Sequence, residues 1–319
     1  MAKKLKREEL LDLIKYYEQA YFTEDLPIPF KGNLTIYPVL VKDYYRFYSC
    51  IGCFKINKNE DINGVGMSHL DYILYLIEQE AEKNEKKTYF QLISLLELIF
   101  HIQNGIICPV CGSLILYSEI NKKMEEIQKI KDEDERKKAM QEYVSIVETC
   151  NCGSDKKSKR EPAIHYSRER NNKYISVNGV KLDANEYELL KNIVLYYNIP
   201  DYDDEYIDPE LKAELEEVAR LKNPNNVQPS LEKQKSCIVS ASSAYTYESL
   251  SNISIRKLVL LLRTIDARLH YFAYRQAEAS GFVSFKNELT HWIYGADKKD
   301  KFSDIITMDA LRDKLKDVT

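Results

Sequence analysis

The stretch GIICPVCGSLIL, residues 105–116, read together with ETCNCGS, residues 148–154, decides how this chain is organised. Each holds two cysteines in a short turn, Cys108 and Cys111 in the first, Cys150 and Cys152 in the second. A glycine follows the last cysteine of each, Gly112 and Gly153. Four thiolates on two such turns complete the tetrahedral shell of a Zn2+ ion and leave no open position, which predicts one structural zinc per chain and not a catalytic one. In CPVCG the proline shapes the turn and the glycine lets backbone N–H groups approach the sulfurs. The second pair, separated only by Asn151, departs from the usual two-residue spacing, and the competing reading is two unrelated reduced turns. His165, in AIHYS, is either a substitute ligand or a plain strand residue.

Ile106–Ile107 and Leu114–Leu116 flank the first pair as strands flank a zinc knuckle. Between the pairs, Glu119–Lys131 and Glu135–Val147 carry apolar residues at helical spacing around the acidic break Asp132-Glu133-Asp134. Ile120, Met124, Ile127 and Ile130 can face Ala139, Met140, Tyr143 and Val147 across a helical hairpin. Residues 105–160 therefore read as a zinc-ribbon-like insertion between an N-terminal helical region, 1–104, and a C-terminal hairpin plus helical region, 161–319.

On either side the pattern is mainly α. The start, MAKKLKREELLDLIKYYEQAYF, has charges interrupting its apolar residues at helical spacing, an amphipathic helix and not a signal peptide. Pro27 and Pro29 exclude helix locally, Leu34–Val39 reads as a short strand, and a helix resumes from Lys42 to about Phe54. Ser68 and Thr88 are placed to cap two helices with broad apolar faces. YISV-NG-VKL, residues 174–182, predicts a type I′ hairpin at Asn178-Gly179, and Asp183 with Glu186 forms a capping box for the helix to Asn198. Asp208 with Pro209 opens a polar helix, Ser230 another, and Ser254 a long one whose crowded apolar first half predicts the central helix of the C-terminal half. The fold class is α+β, mainly α: a helical body, short β hairpins and the inserted ribbon.

Composition narrows the function. Net charge is −4 over 319 residues, which argues against a general nucleic-acid surface. Seven cysteines, an odd number, without a secretion signal favour reduced thiols and a metal over disulfides. The most apolar run, LISLLELIFHI at 92–102, contains Glu97 and is too short to span a bilayer. The 24 tyrosines against one tryptophan fit an AT-rich coding genome, and Tyr also suits contact surfaces.

No HExxH, GxSxG, Walker A or GxGxxG string occurs. Cys50 and Cys53 form a further CxxC, but aromatic neighbours and helical spacing make them small buried hydrophobes rather than a redox pair. His270 four residues after Asp266 is a bundle contact before it is an acid–base pair. GVGMSH, residues 64–69, lacks the lysine of a phosphate cradle, and the acidic run Asp201, Asp203, Asp204, Glu205, Asp208 lacks the glycine and terminal glutamate of a calcium loop.

PIPFKGNLTIYPVLVKDYYRFYS (27–49), GMSHLDYILYLI (66–77) and VNGVKLDANEYELLKNIVLYYNIPDYDDEYIDPELKAELEEVARL (177–221) together resemble proteins encoded among the tail and baseplate genes of large tailed bacteriophages, of the baseplate hub or tail-assembly type. The resemblance rests on packing and turn residues. It implies a non-enzymatic structural or assembly role through contacts with other tail or baseplate proteins and with further copies of itself as a homo-oligomer, in the host cytoplasm during assembly and then in the virion tail. It carries over no individual functional residue and does not cover the cysteine-bearing insertion. The alternative is a zinc-ribbon nucleic-acid-binding or transcription-related factor using Lys156, Lys157, Lys159 and Arg160; a hydrolase or redox enzyme comes third.

Overall fold

The computed structural model describes residues 7–152, 158–169, 172–200, 202, 229–280 and 291–294. Its described elements are helices α1 (Arg7–Tyr17), α2 (Tyr44–Cys50), α3 (Gly52–Lys55), α4 (His69–Glu82), α5 (Lys87–Phe100), α6 (Tyr117–Gln128), α7 (Glu133–Glu148), α8 (Ala184–Asn198), α9 (Leu231–Ala241), α10 (Tyr247–Ser251) and α11 (Ile255–Ala279). The strands are short: β1 (Ile28–Lys31), β2 (Leu34–Ile36), β3 (Gly105–Ile107), β4 (Leu114–Leu116), β5 (Thr149–Cys150), β6 (Ser158–Lys159), β7 (Glu161–Pro162), β8 (Ile164–Glu169), β9 (Asn172–Val177) and β10 (Val180–Leu182). The fold is mainly helical with small antiparallel sheets, as the sequence pattern predicts.

Two compact units emerge: residues 1–228 with 248–258, and residues 229–247 with 259–319. The first is built around α8, which is apolar on nearly every side. Tyr187, Leu190, Ile193, Val194, Leu195 and Tyr197 are all buried there. Its N-terminus carries the expected capping box: Asp183 accepts from the Glu186 N–H at 3.0 Å, and the Glu186 carboxylate accepts from the Asp183 N–H at 2.9 Å. Phe22 stacks on Tyr197 with centroids 4.4 Å apart, and Phe54 meets Tyr187 edge-on at 5.6 Å.

A buried amide ends the helix. Asn198 Oδ1 accepts from the Val39 N–H at 3.0 Å while its Nδ2 donates to the Val194 carbonyl at 2.9 Å. Strand β2 stops at Ile36, shorter than the expected run to Val39, because the backbone beyond it finds other partners: Tyr37 N–H donates to the Ile99 carbonyl at 2.7 Å, and Val39 to Asn198.

Helices α4 and α5 pack on α8 and α2 respectively. Ser68 caps α4, its Oγ accepting from the Asp71 N–H at 3.0 Å. Thr88 does not cap α5; that helix begins one residue earlier, at Lys87. The Glu80 carboxylate takes over the capping role from α4, accepting from Thr88 N–H at 2.7 Å and Thr88 Oγ1 at 2.6 Å. The expected helix from Lys42 to Phe54 is three pieces, a 310 turn (Val41–Asp43), α2 and α3, the last two separated at Ile51.

The sheet β8–β9–β10 is an antiparallel meander whose second turn is Asn178-Gly179, with φ of +48° and +79°. Both residues thus have the positive φ a type I′ turn demands. Lys173 of β9 pairs with Asp71 of α4 at 2.6 Å, and Arg168 of β8 pairs with Glu78.

The long helix α11, expected as the central helix of the C-terminal half, is sealed only at its start. Only Ile255, Arg256 and Leu258, its first turn, are buried; Leu260, Leu269, Phe272 and Tyr274 are exposed. Crowded apolar residues make a helix buriable but do not by themselves supply what covers it. The first turn is held by Ile255 N–H on the Val39 carbonyl at 2.8 Å and by Arg256, which reaches the Tyr196 carbonyl at 3.1 Å and pairs with Glu18. In the second unit, α9 has the expected Ser230 cap on the Lys233 N–H at 3.3 Å, and Ser236 Oγ bonds the Tyr247 hydroxyl at 2.8 Å. The expected Asp208–Pro209 helix lies outside the described residues.

Candidate metal centre

Two β hairpins bring the cysteines together. The first is β3–β4, paired Ile106 to Ile115 and Ile107 to Leu114, with the CPVCGS turn between the strands. That turn closes with Cys108 N–H on the Ser113 carbonyl at 3.0 Å and Gly112 N–H on the Cys108 carbonyl at 2.9 Å. Gly112 sits at φ +72°, a backbone that side-chain-bearing residues seldom adopt, which is why glycine stands behind the second cysteine. The second hairpin is β5–β6, pairing Cys150 with Ser158. Strand β7 then lies antiparallel to β3, Ile106 opposite Pro162, and joins the two parts.

The four sulfurs all lie within 4.8 Å of one another. Cys108 Sγ is 3.5 Å from Cys152 Sγ, and Cys111 Sγ is 3.7 Å from Cys150 Sγ. Zinc–sulfur bonds of about 2.3 Å in a tetrahedron put sulfurs about 3.8 Å apart, so the thiols already stand at the spacing a thiolate-bound ion needs. The donor set also suits a soft or borderline metal, since it is all sulfur. This is the one group of three or more His, Cys, Asp or Glu ligands so gathered among the described residues.

Local hydrogen bonds favour the thiolates of the first knuckle. The Ser113 hydroxyl and N–H hold the Cys111 thiol down to about 6. N–H groups of Cys111 and Val110 lower Cys108 in the same way. Cys152 is pushed up to about 11, chiefly by its side-chain hydrogen bond with Cys108. A bound metal replaces thiol protons.

His165 is not among the four. It lies on β8 with Nδ1 3.0 Å from the Pro162 carbonyl and Nε2 3.9 Å from the Glu161 carboxylate. Arg160, the last residue of the expected basic flank, turns its guanidinium into the ribbon and donates to the Ser113 carbonyl at 2.8 Å. Lys159 is exposed, and Lys156 and Lys157 lie outside the described residues.

Between the hairpins, α6 and α7 pack on each other and on strands β3, β4 and β5. Ile127 is their single buried residue among those described. Asp132 caps α7 through the Glu135 N–H at 2.8 Å.

The other candidates are structural. Cys50 and Cys53 are buried; desolvation pushes the Cys50 thiol up to about 11 and Cys53 higher still, the opposite of a reactive pair. His270 and Asp266 stand 3.5 Å apart on an exposed helix face. The acidic run of residues 201–208 lies almost entirely outside the described residues. The N-terminus of α4 behind GVGMSH is filled by the protein's own Ser68 and Asp71.

One polar cluster escapes sequence reading. His69 Nδ1 pairs with Glu188, Lys191 Nζ lies 3.1 Å from His69 Nε2 and 3.0 Å from Glu188 Oε1, and Asn192 Nδ2 donates to Glu188 at 3.0 Å. Lys191 is only 6% exposed. Burial works against a charged Glu188, yet the His69 hydrogen bond and the Lys191 ammonium outweigh it and pull the carboxyl down to about 2. The available signal was a Glu and a Lys three apart in a helix buried on nearly every side. Comparison of the chain with family models, curated proteins and solved structures returns no match.

Proposed function

We propose that the protein is a non-enzymatic structural component or assembly factor of a phage tail baseplate, acting through protein–protein contacts, with one structural Zn2+ held by Cys108, Cys111, Cys150 and Cys152. The observation that supports this reading is the closure of four sulfurs within 4.8 Å at the foot of a helical hairpin that buries almost none of its own side chains. Such a hairpin gains little from a core, so its order depends on the fastener at its base. The metal is then an architectural part, and the hairpin is a surface for contact with other tail or baseplate proteins.

The test has two arms. Elemental analysis of the purified chain is expected to give one zinc per chain, lost in the Cys108→Ser/Cys111→Ser variant; a metal-free, fully folded wild-type preparation overturns the metal assignment. Co-purification with assembled tail particles is expected, and its consistent absence from both particles and assembly intermediates overturns the role. A gel-shift titration addresses nucleic acid directly: salt-sensitive micromolar binding would replace this reading by a nucleic-acid one.

A further inference from the structure

The clasp has a chemical property that its architecture does not require. Two sulfur pairs that join opposite knuckles stand at contact distance: Cys108 with Cys152 at 3.5 Å, and Cys111 with Cys150 at 3.7 Å. Exposure divides each pair. Cys111 and Cys152 are exposed, whereas Cys150 is half-buried and Cys108 is buried. Each pair therefore combines an exposed cysteine with a less exposed one whose sulfur is at contact distance.

We propose that Cys111 and Cys152 are modification sites for hydroperoxides, and that oxidation converts the clasp into two disulfides across the knuckles, Cys111–Cys150 and Cys108–Cys152. The exposed cysteine attacks the peroxide through its deprotonated sulfur, the O–O bond breaks, and a sulfenic acid forms with release of hydroxide. The sheltered thiolate of the opposite knuckle then attacks that sulfur, the S–O bond breaks and a second hydroxide leaves. Each disulfide thus takes two electrons from two thiolates and delivers them to one peroxide. The first disulfide removes two of the four ligands, and a bound Zn2+ is released.

The consequence follows from the pairing. Disulfides within a knuckle would free the two turns from each other. Disulfides across the knuckles keep them joined, so the hairpin stays fastened after the metal has gone. Cys50 and Cys53, buried and with raised thiol pKa, are spared.

The metal-release step rests on the zinc reading above, and the pairing does not. The full chain is treated with hydrogen peroxide in the presence of a chromogenic zinc chelator, free thiols are blocked, and non-reduced peptides are mapped by mass spectrometry. Expected are loss of the thiols of Cys108, Cys111, Cys150 and Cys152, counted apart from exposed Cys237, linked peptides Cys111–Cys150 and Cys108–Cys152, reduced Cys50 and Cys53, and release of one zinc in step with the first disulfide. Cys108–Cys111 or Cys150–Cys152 as the main products, or sulfinic acids without cross-links, overturn the proposal even if zinc is released. Cross-knuckle disulfides in a chain that carries no zinc support the pairing and refute only the metal assignment.

Discussion

Single side chains in this protein act where they replace missing backbone partners or neutralise buried charge. Glu188 is the clearest case. Its folded carboxyl titrates at about 2, below the ordinary 4.5, so the stability it contributes is present above about pH 4.5 and is lost as the pH falls towards 2. Denaturant titrations should show an acid limb in that window worth about 1–2 kcal/mol once solvent screening is allowed for. Glu188→Gln should remove that limb and lower stability at pH 7 by about 2 kcal/mol, because Lys191 would remain buried beside His69 without its counter-charge; an unchanged acid limb would refute the assignment. Asn198 gives a second test. Fully buried, it joins the end of α8 to Val39, 159 residues away in sequence. Asn198→Ala should cost about 2–3 kcal/mol by chemical denaturation, since it leaves the Val39 N–H buried and unpaired. The caps at Ser68 and Asp183 were legible because their partners lie three residues away. Glu80 capping Thr88, Asn198 and the His69 cluster were not, because their partners come from other elements and no local spacing announces them.

Elements differ in what orders them. Helix α8 is buried on nearly every side and needs no device beyond its caps, whereas α6 and α7 have Ile127 as their one buried residue among those described. Short exposed helices are marginal on their own in water. Removal of the metal, by chelator or by Cys108→Ser/Cys111→Ser, should therefore speed amide exchange across Tyr117–Glu148 by at least about tenfold and leave α8 protected; equal protection in both states would show that the hairpin orders itself. The first hairpin of the ribbon was readable, since CPVCGS with flanking apolar residues dictates its own hairpin; β5, β6 and β7 were not, because these two-residue strands lie in polar sequence that reads as loop. The exposure of α11 was not readable. Apolar residues crowd its first half, yet Leu260 is exposed, because burial depends on what packs against a helix and not on its own sequence.

At the scale of the molecule, the general class was legible from helical periodicity, the turn at Asn178-Gly179 and the two cysteine turns. The division into units was not, because residues 248–258 return to the first unit from far along the chain, through Leu40 opposite Ser254. The pairing of β3 with β7 has a further consequence. Ile107 lies directly opposite Glu161, and Ala163 N–H meets the Gly105 carbonyl at 2.9 Å. The chain thus leaves the body and re-enters it through adjacent rungs of one ladder. A two-residue Asn-Gly turn in place of residues 108–160 should close that ladder as an ordinary hairpin. Such a miniature is expected to unfold cooperatively within about 2 kcal/mol of the parent's stability and to bind no zinc, read by calorimetry and elemental analysis. A doorway this narrow makes the segment an exchangeable cassette: its length and sequence can be rewritten, or the whole removed, while the residues packed around α8 keep every contact they have.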